Sequence, residues 1–322
     1  MRTVVVSSYI FYCNATKETG LGHLSRCLNL AREIALISGY QSIRFFGNYD
    51  AFAYSKIKYY AFDFLPIAGP EAKCSTIICD DYSFLKNDLL ELHLQGHKLC
   101  IIDDFQQYDF DFVDLIINFR FNAELFYQTQ RQHCLGINFF SFSPDLKAIR
   151  EEKTPIQDPK KVINTILVFI GGSDTFNVGV KVIAALDLIF TDKTFILLDK
   201  TEPRINVKNN DLQVIGFTEN IAQLFRSVDI IVNGGGLTKY EAGFCLIPNC
   251  AISQTSEQHL DTLELSKHNL TYDLGLAEQA NVEHLASELQ KFLKIIPEQL
   301  SSFAKVYNTN STRNLALEII KA

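Results

Sequence analysis

The stretch Asn164–Phe190, NTILVFIGGSDTFNVGVKVIAALDLIF, decides the fold. An apolar, β-rich run ends in a glycine pair, and apolar residues at helical spacing follow, which reads as strand, tight turn and helix. The same grammar opens the chain. RTVVVSSYIFYC leads into the glycine turn TGLGH and then LSRCLNLAREIALIS, where Leu24, Leu28, Ala31 and Ala35 form a helical stripe. Between the two copies lie SIRFFG, TIICDDY, KLCIIDDF and LIINF, short runs apolar on both faces, as parallel strands covered by helices are. FLKNDLLELHLQG and NAELFYQTQRQ read as the helices between them. After Phe190 the alternation goes on with KTFILLD, LQVIGF, DIIVNGGG and NCAISQ as strands and NIAQLFRSV and TKYEAGFCL as helices.

The charged, proline-bearing segment REEKTPIQDPKKV, Arg150–Val162, has almost nothing to bury and reads as a linker. The expectation is therefore an α/β protein of two Rossmann-like domains, 1–150 and 163–322, joined by 151–162 and facing a cleft. The terminal stretch SSFAKVYNTNSTRNLALEIIKA ends in a helix free to dock back. Each domain has glycines where a strand's carboxyl end meets a helix, the place where open α/β sheets bind ligands.

Composition narrows the ligand. A net charge of −7 over 322 residues, with no clustered Lys or Arg, excludes a broad nucleic-acid surface, so an anion must be caught locally. No apolar run approaches the roughly 20 residues of a membrane span. The eight cysteines form no CxxC pair and sit in apolar runs, as reduced core residues do, which predicts a cytoplasmic protein. Cys74 and Cys79 lie in one such strand, and no metal site is expected of them.

Three motifs carry the chemistry. In TGLGHLSRC, Gly20 and Gly22 permit a close turn whose amides can hold an anion, and His23 falls in the first helical turn. In its neutral form it can act as a general base or simply serve the turn. In FIGGSDTFN, Gly171 and Gly172 turn the chain while Ser173 and Asn177 offer side-chain donors, although Asp174 as a helix cap explains the motif equally well. In VNGGGLTKYEA, consecutive glycines expose amides suited to a diphosphate, with Gly235, Gly236 and Thr238 at the turn and Glu241 placed to accept ribose hydroxyls. There is no GxxxxGK[ST] loop and no GxGxxG spacing. Asp80, Asp81, Asp103 and Asp104 stand at two strand ends. Asp103 and Asp104 read as solvated or capping acids, and Glu257, Gln258 and His259 follow another strand.

Taken in order, GLGHLSRCLNLA, CDDY, IDDF, FIGGSDTFN, NGGGLTKYEA and the Glu-Gln pair followed by LG resemble the nucleotide-sugar hydrolase family of the pseudaminic acid pathway. Its relatives include spore-coat polysaccharide proteins and, more distantly, the glycosyltransferase of the lipid-linked peptidoglycan precursor. The resemblance implies the two-domain GT-B fold and hydrolysis of a UDP-linked acetamido-deoxy sugar at its anomeric carbon, without metal or other cofactor; the alternatives are a GT-B glycosyltransferase using a UDP-sugar donor and a non-catalytic nucleotide-sugar-binding protein. It makes His23 the base that activates water, and Tyr82 the holder of the sugar or the leaving diphosphate. Glu257 joins these two as a catalytic position. It places Gly171, Gly172, Ser173, Asn177, Gly235, Gly236, Thr238 and Glu241 around the nucleotide. Gly20, Gly22, Asn14, Arg26, Asp80 and Gln258 complete the substrate-binding set. Two positions depart from the family pattern. An Arg-x-Asp before the glycine turn is Tyr12 and Asn14 here, and an Asn-Gln pair is Glu257-Gln258.

Overall fold

A computed structural model describes residues 8–16, 19–39, 42–65, 75–127, 132–153, 162–172, 174–216, 218 and 220–322. The chain divides into two units, one running to Ser143 and resuming at Asn308–Ala322, the other spanning Pro144–Tyr307.

Unit 1 holds a parallel sheet of β1 (Tyr9–Cys13), β2 (Ile43–Phe46), β3 (Asp63–Phe64), β4 (Thr76–Asp80), β5 (Lys98–Ile102), β6 (Leu115–Asn118) and β7 (His133–Leu135), with helices α1 (Gly22–Ser38), α2 (Ala51–Tyr59) and α3 (Lys86–Leu94). The strand order is β3-β2-β1-β4-β5-β6-β7. The winding therefore reverses between β1 and β4, the kind of switch point beyond whose strand ends open α/β sheets bind ligands. The register there pairs Cys13 with Asp80, so Asn14 and Asp81 leave the sheet side by side. Ile10, Ile77, Cys79, Leu99 and Ile101 build the core beneath. The buried face of α1 carries Leu24, Cys27, Leu28, Ala31 and Ile34; Ile34 takes the place expected of Ala35, which is half-buried.

Unit 2 begins with α4 (Pro144–Lys153) and holds a second parallel sheet of β8 (Thr165–Phe169), β9 (Thr194–Leu198), β10 (Asp211–Ile215), β11 (Ile230–Asn233), β12 (Asn249–Ser253) and β13 (Tyr272–Leu276). Around it are α5 (Val178–Ile189), α6 (Ile221–Ser227), α7 (Thr238–Phe244), α8 (Ser256–Lys267), α9 (Val282–Lys294) and α10 (Ile296–Val306). The order β10-β9-β8-β11-β12-β13 puts the reversal between β8 and β11. The glycine turn after each of these strands thus stands at the switch point. Gly234 is demanded by packing, because a Cβ there would run into the Ile170 carbonyl.

The structure redraws three expectations. The segment from Arg150 is not a bare linker at its start: α4 runs to Lys153, and Arg150 is buried, donating to the carbonyls of Phe244 (2.6 Å) and Tyr307 (3.0 Å). Residues 154–161 lie outside the described set. NAELFYQTQRQ forms only the 3-10 turn Ala123–Leu125 in its described part, following Asn122 in the left-handed region at φ 58°. The final helix, α11 (Ser311–Lys321), belongs to unit 1, packing on α1 and donating from Thr312 Oγ1 to the Phe142 carbonyl (2.9 Å). The seven described cysteines are all free and buried; Cys74 is outside the described residues.

Leu315 of α11 is 1% exposed. Leu315→Ala is expected to destabilise the protein by about 2–5 kcal/mol. Hydrogen exchange should show faster opening of amides in unit 1 while those of β8 and β11 keep their protection.

Candidate active site

In unit 1, the turn after β1 places Gly20 at φ 74° and starts α1 at Gly22, so that His23 lies in the first turn and Arg26 three residues on, along the same helix face. The side chains of both reach Asp80, which closes β4 and is fully buried. His23 Nδ1 lies 2.7 Å from Asp80 Oδ1. Arg26 donates to both carboxylate oxygens, through Nε to Oδ2 and Nη2 to Oδ1. Burial alone would raise the Asp80 carboxyl, but the Arg26 charge, with His23 and Arg26 hydrogen bonds, holds it down at about 2. An ionised carboxylate only accepts, so the Nδ1 proton of His23 is assigned to the bond with Asp80. Arg26 Nη2, 3.1 Å from Nδ1, then points its hydrogen at Asp80 rather than at the ring. The lone pair of neutral His23 is thereby on Nε2, which makes no hydrogen bond among the described residues, on a side chain 16% exposed.

Arg26 also donates through Nη1 to Asp104 Oδ2 (2.9 Å) and lies over the Phe119 ring at 4.9 Å. Asp104 is therefore not the solvated or capping acid expected from sequence. It is 7% exposed, with Oδ1 buried and unpartnered, and its Oδ2 also accepts from Tyr82 OH at 2.5 Å. Asp103 does cap, accepting from the amides of Gln107 (2.8 Å) and Tyr108 (3.0 Å). Tyr82 packs edge-on to His23, with ring centroids 4.8 Å apart. Since its proton is given to Asp104, the phenol faces a ligand as an acceptor and is a poor partner for a diphosphate oxygen.

Burial also reassigns three predicted ligand contacts. Asp80 (0% exposed) and Arg26 (4% exposed) have their polar atoms committed to each other, to His23 and to Asp104, so they hold the His23 ring rather than face a ligand. Asn14 donates to Asp81 Oδ2 (2.5 Å) and accepts from the Asn48 amide (2.7 Å), tying the end of β1 to its neighbours. Asp81 in turn accepts from the Ser83 amide at 2.7 Å. Tyr12 fills an aromatic slot between Phe46 and Phe84.

In unit 2, the turn after β8 exposes Gly171 and Gly172, and Asn177 is exposed at φ 51° before α5. The start of α5 is filled by Asp174, which accepts from the amides of Val178 (2.8 Å) and Gly179 (2.7 Å). The capping account of this motif thus holds for Asp174; Ser173 is outside the described residues. The turn after β11 is different. Gly235 has φ 79° and donates to Asn233 Oδ1 (3.0 Å), Gly236 faces open space, and Thr238 opens α7. Glu241, one turn along α7, makes no side-chain hydrogen bond or ion pair among the described residues, and burial pushes its carboxyl up to about 7. An isolated, poorly solvated acceptor beside an open glycine loop fits a polyhydroxyl ligand.

Gln258 serves the start of α8: Thr255 caps its amide and Gln258 Oε1 accepts from the Gln254 amide (3.0 Å). Glu257 is exposed in the same first turn. His259 Nε2 approaches Asp273 Oδ2 at 3.2 Å. Among the described residues no group of three or more His, Cys, Asp or Glu is arranged to hold a metal, and no helix is long and apolar enough to cross a membrane. The contribution of Asp104 was missed in the sequence, although IDDF had marked the strand end that carries it.

No protein-family model matches the chain. The spore coat polysaccharide biosynthesis protein SpsG of Bacillus subtilis is 24% identical over 311 residues, 88% of this chain and 88% of that protein. MurG of Acinetobacter baumannii matches with a TM-score of 0.70 at 12% identity, covering 98% of this chain and 100% of that one. The UDP-GlcNAc 2-epimerase of Neisseria meningitidis, solved bound to UDP-GlcNAc, gives 0.61 at 10% identity over 98% and 100%. Two parallel-sheet units with these structural likenesses give the chain the GT-B fold, and its sequence similarity to SpsG runs over most of both proteins.

Proposed function

We propose that this protein is an enzyme of glycan biosynthesis that hydrolyses a UDP-linked amido-deoxy sugar at the anomeric carbon. The observation that carries the reading is the His23–Asp80 pair, a histidine whose Nδ1 is bound to a buried carboxylate while Nε2 is left open. This is the arrangement of a general base with its orienting acid. The similarity to SpsG and to an epimerase solved bound to UDP-GlcNAc supports the substrate class.

In this reading unit 2 binds UDP. Gly235, Gly236 and Thr238 meet the diphosphate and Glu241 accepts from the ribose hydroxyls, with Gly171, Gly172 and Asn177 lining the nucleotide site. His23 Nε2 takes a proton from water, the water oxygen bonds to the anomeric carbon, and the bond to the diphosphate breaks with its electron pair leaving on UDP. The imidazolium then releases its proton to solvent. Two carboxylates against the one Arg26 charge leave a net negative charge beside the ring, which the imidazolium neutralises as it forms. Tyr82 accepts from a sugar hydroxyl or amide N–H. UDP is already a good leaving group, so positioning and charge recognition supply most of the acceleration.

Release of UDP from UDP-sugars in the absence of any acceptor is the direct test. Turnover that requires an added acceptor hydroxyl would replace hydrolysis by glycosyl transfer, with His23 deprotonating that hydroxyl. His23→Ala is expected to keep UDP affinity and lose turnover by a factor of order 10² or more; unchanged turnover removes the base assignment.

Two charge variants probe the supporting groups. Asp80 is held at about 2 in the fold, below the ordinary carboxylate value near 3.9. The stabilisation this represents is complete above about pH 4 and is lost as pH falls through 2. Asp80→Asn should therefore cost about 2 kcal/mol or more in urea unfolding at pH 6, with the two proteins converging toward pH 2. Glu241 has the opposite sign: its raised folded value near 7 makes its ionisation cost stability as pH rises through 7. Glu241→Gln is expected to stabilise the ligand-free protein at pH 8 by an amount of order 1–3 kcal/mol, read as a higher thermal midpoint. The same change should weaken UDP binding, as measured by calorimetry.

A further inference from the structure

We propose that Lys239 is a positioning residue that presents the Gly236 amide to the diphosphate, an inference that rests on the reading of this glycine loop as the diphosphate seat. Lys239 is 1% exposed, and its ammonium donates to Gly235 O (2.5 Å), Asp261 Oδ2 (2.8 Å) and Thr262 Oγ1 (3.2 Å). Three donors thus meet three acceptors. The acceptors are themselves fixed. Tyr240 OH donates to the other Asp261 oxygen (2.7 Å). Thr262 Oγ1 donates to the Gln258 carbonyl (2.8 Å) and accepts from Ser253 Oγ (3.1 Å).

Both peptide groups of Gly235 are consequently held from inside the protein, its N–H by Asn233 and its C=O by Lys239. A planar trans peptide points its C=O and its N–H in opposite directions. With the Gly235 carbonyl turned inward to a buried ammonium, the Gly236 N–H must turn outward. It makes no hydrogen bond among the described residues, and a Cβ at Gly236 would meet nothing within 4 Å. The ammonium does more than aim this peptide, because a cation on the carbonyl polarises the amide and strengthens the N–H opposite as a donor to an anion. Stability alone is a poor explanation for the pair, since a buried Lys–Asp pair is commonly matched or bettered by apolar residues of similar volume.

The test compares UDP with uridine, which lacks the diphosphate, by calorimetry on the wild type, on Lys239→Met and on the double variant Lys239→Met/Asp261→Asn, in which no buried charge is left unpaired. The variants are expected to lose tenfold or more in UDP affinity while uridine affinity changes less than about twofold. An unchanged UDP-to-uridine ratio overturns the proposal. A measurement on the wild type alone guards against variants that do not fold. In 15N-glycine-labelled protein, the Gly236 amide proton should move downfield on adding UDP and stay in place with uridine. A Gly236 resonance that ignores bound UDP overturns the Lys239 assignment, whereas a wild type that binds no UDP overturns the diphosphate reading and this inference with it.

Discussion

Asp80 can be charged in the dry interior of unit 1 only because Arg26 faces it, and the candidate base is built on that constraint. A lone buried carboxylate is too costly to ionise and would take up a proton. It would then offer His23 a donor as well as an acceptor, and the ring would lose its fixed tautomer. Arg26 is itself possible only because a second carboxylate, Asp104, and the Phe119 face receive what Asp80 leaves over. The chain of dependence runs from the β1–β4 register, which brings the end of β4 against the first turn of α1, to a single proton position on one histidine.

Much of this was legible in local sequence, and the limits have physical causes. The glycine pair and the apolar stripe place His23 in a first helical turn, and the paired acids mark the ends of two strands. The partnership was less legible: His23 and Asp80 are 57 residues apart and meet across the crevice between two strands. Arg26 carried a local signal, an arginine among Leu24, Cys27 and Leu28 on the face that packs inward, where a charge needs a buried partner. Asp104 gave none, because an acid after a strand looks the same whether it caps a turn, as Asp103 does, or closes an ion pair. The segment from Arg150 misled for a similar reason. Its charges resemble a solvated linker, yet Arg150 goes inward to two backbone carbonyls, a use of charge that composition does not reveal.

Many polar groups of the two sites are committed to partners within the protein, and a few atoms are left open. Asp80, Arg26, Asn14, Asp174, Gln258 and Lys239 have hydrogen bonds that fix their geometry, and such groups have little left to offer a ligand. His23 Nε2, the Glu241 carboxylate and the Gly236 amide are open, and each is backed by a saturated group or held in an environment that raises the cost of leaving it unpaired. A protein selected only for stability would pair or replace these atoms. Their pattern, an open ring nitrogen, an isolated carboxylate and an outward amide, is the one the proposed function requires of a site for a nucleoside diphosphate sugar and its nucleophile.

The departure at Tyr12 and Asn14 from the pattern the sequence resembles can be followed at the end of β1. Replacing an arginine and an aspartate near the end of β1 by Tyr12 and Asn14 removes two charges from the rim of the His23 crevice. Tyr12 answers with aromatic packing, and Asn14 with a neutral amide bridging Asp81 and the Asn48 backbone. An aspartate at position 14 would stand as a second carboxylate against Asp81, so the neutral residue is what this neighbour requires. None of these contacts involves Asp80 or Arg26, so the His23–Asp80 pair is left intact while one charge of each sign is absent from its surroundings. Under the proposed function, changes at this rim bear on what the His23 ring meets, while the Asp80–Arg26 pair beneath fixes where its proton sits.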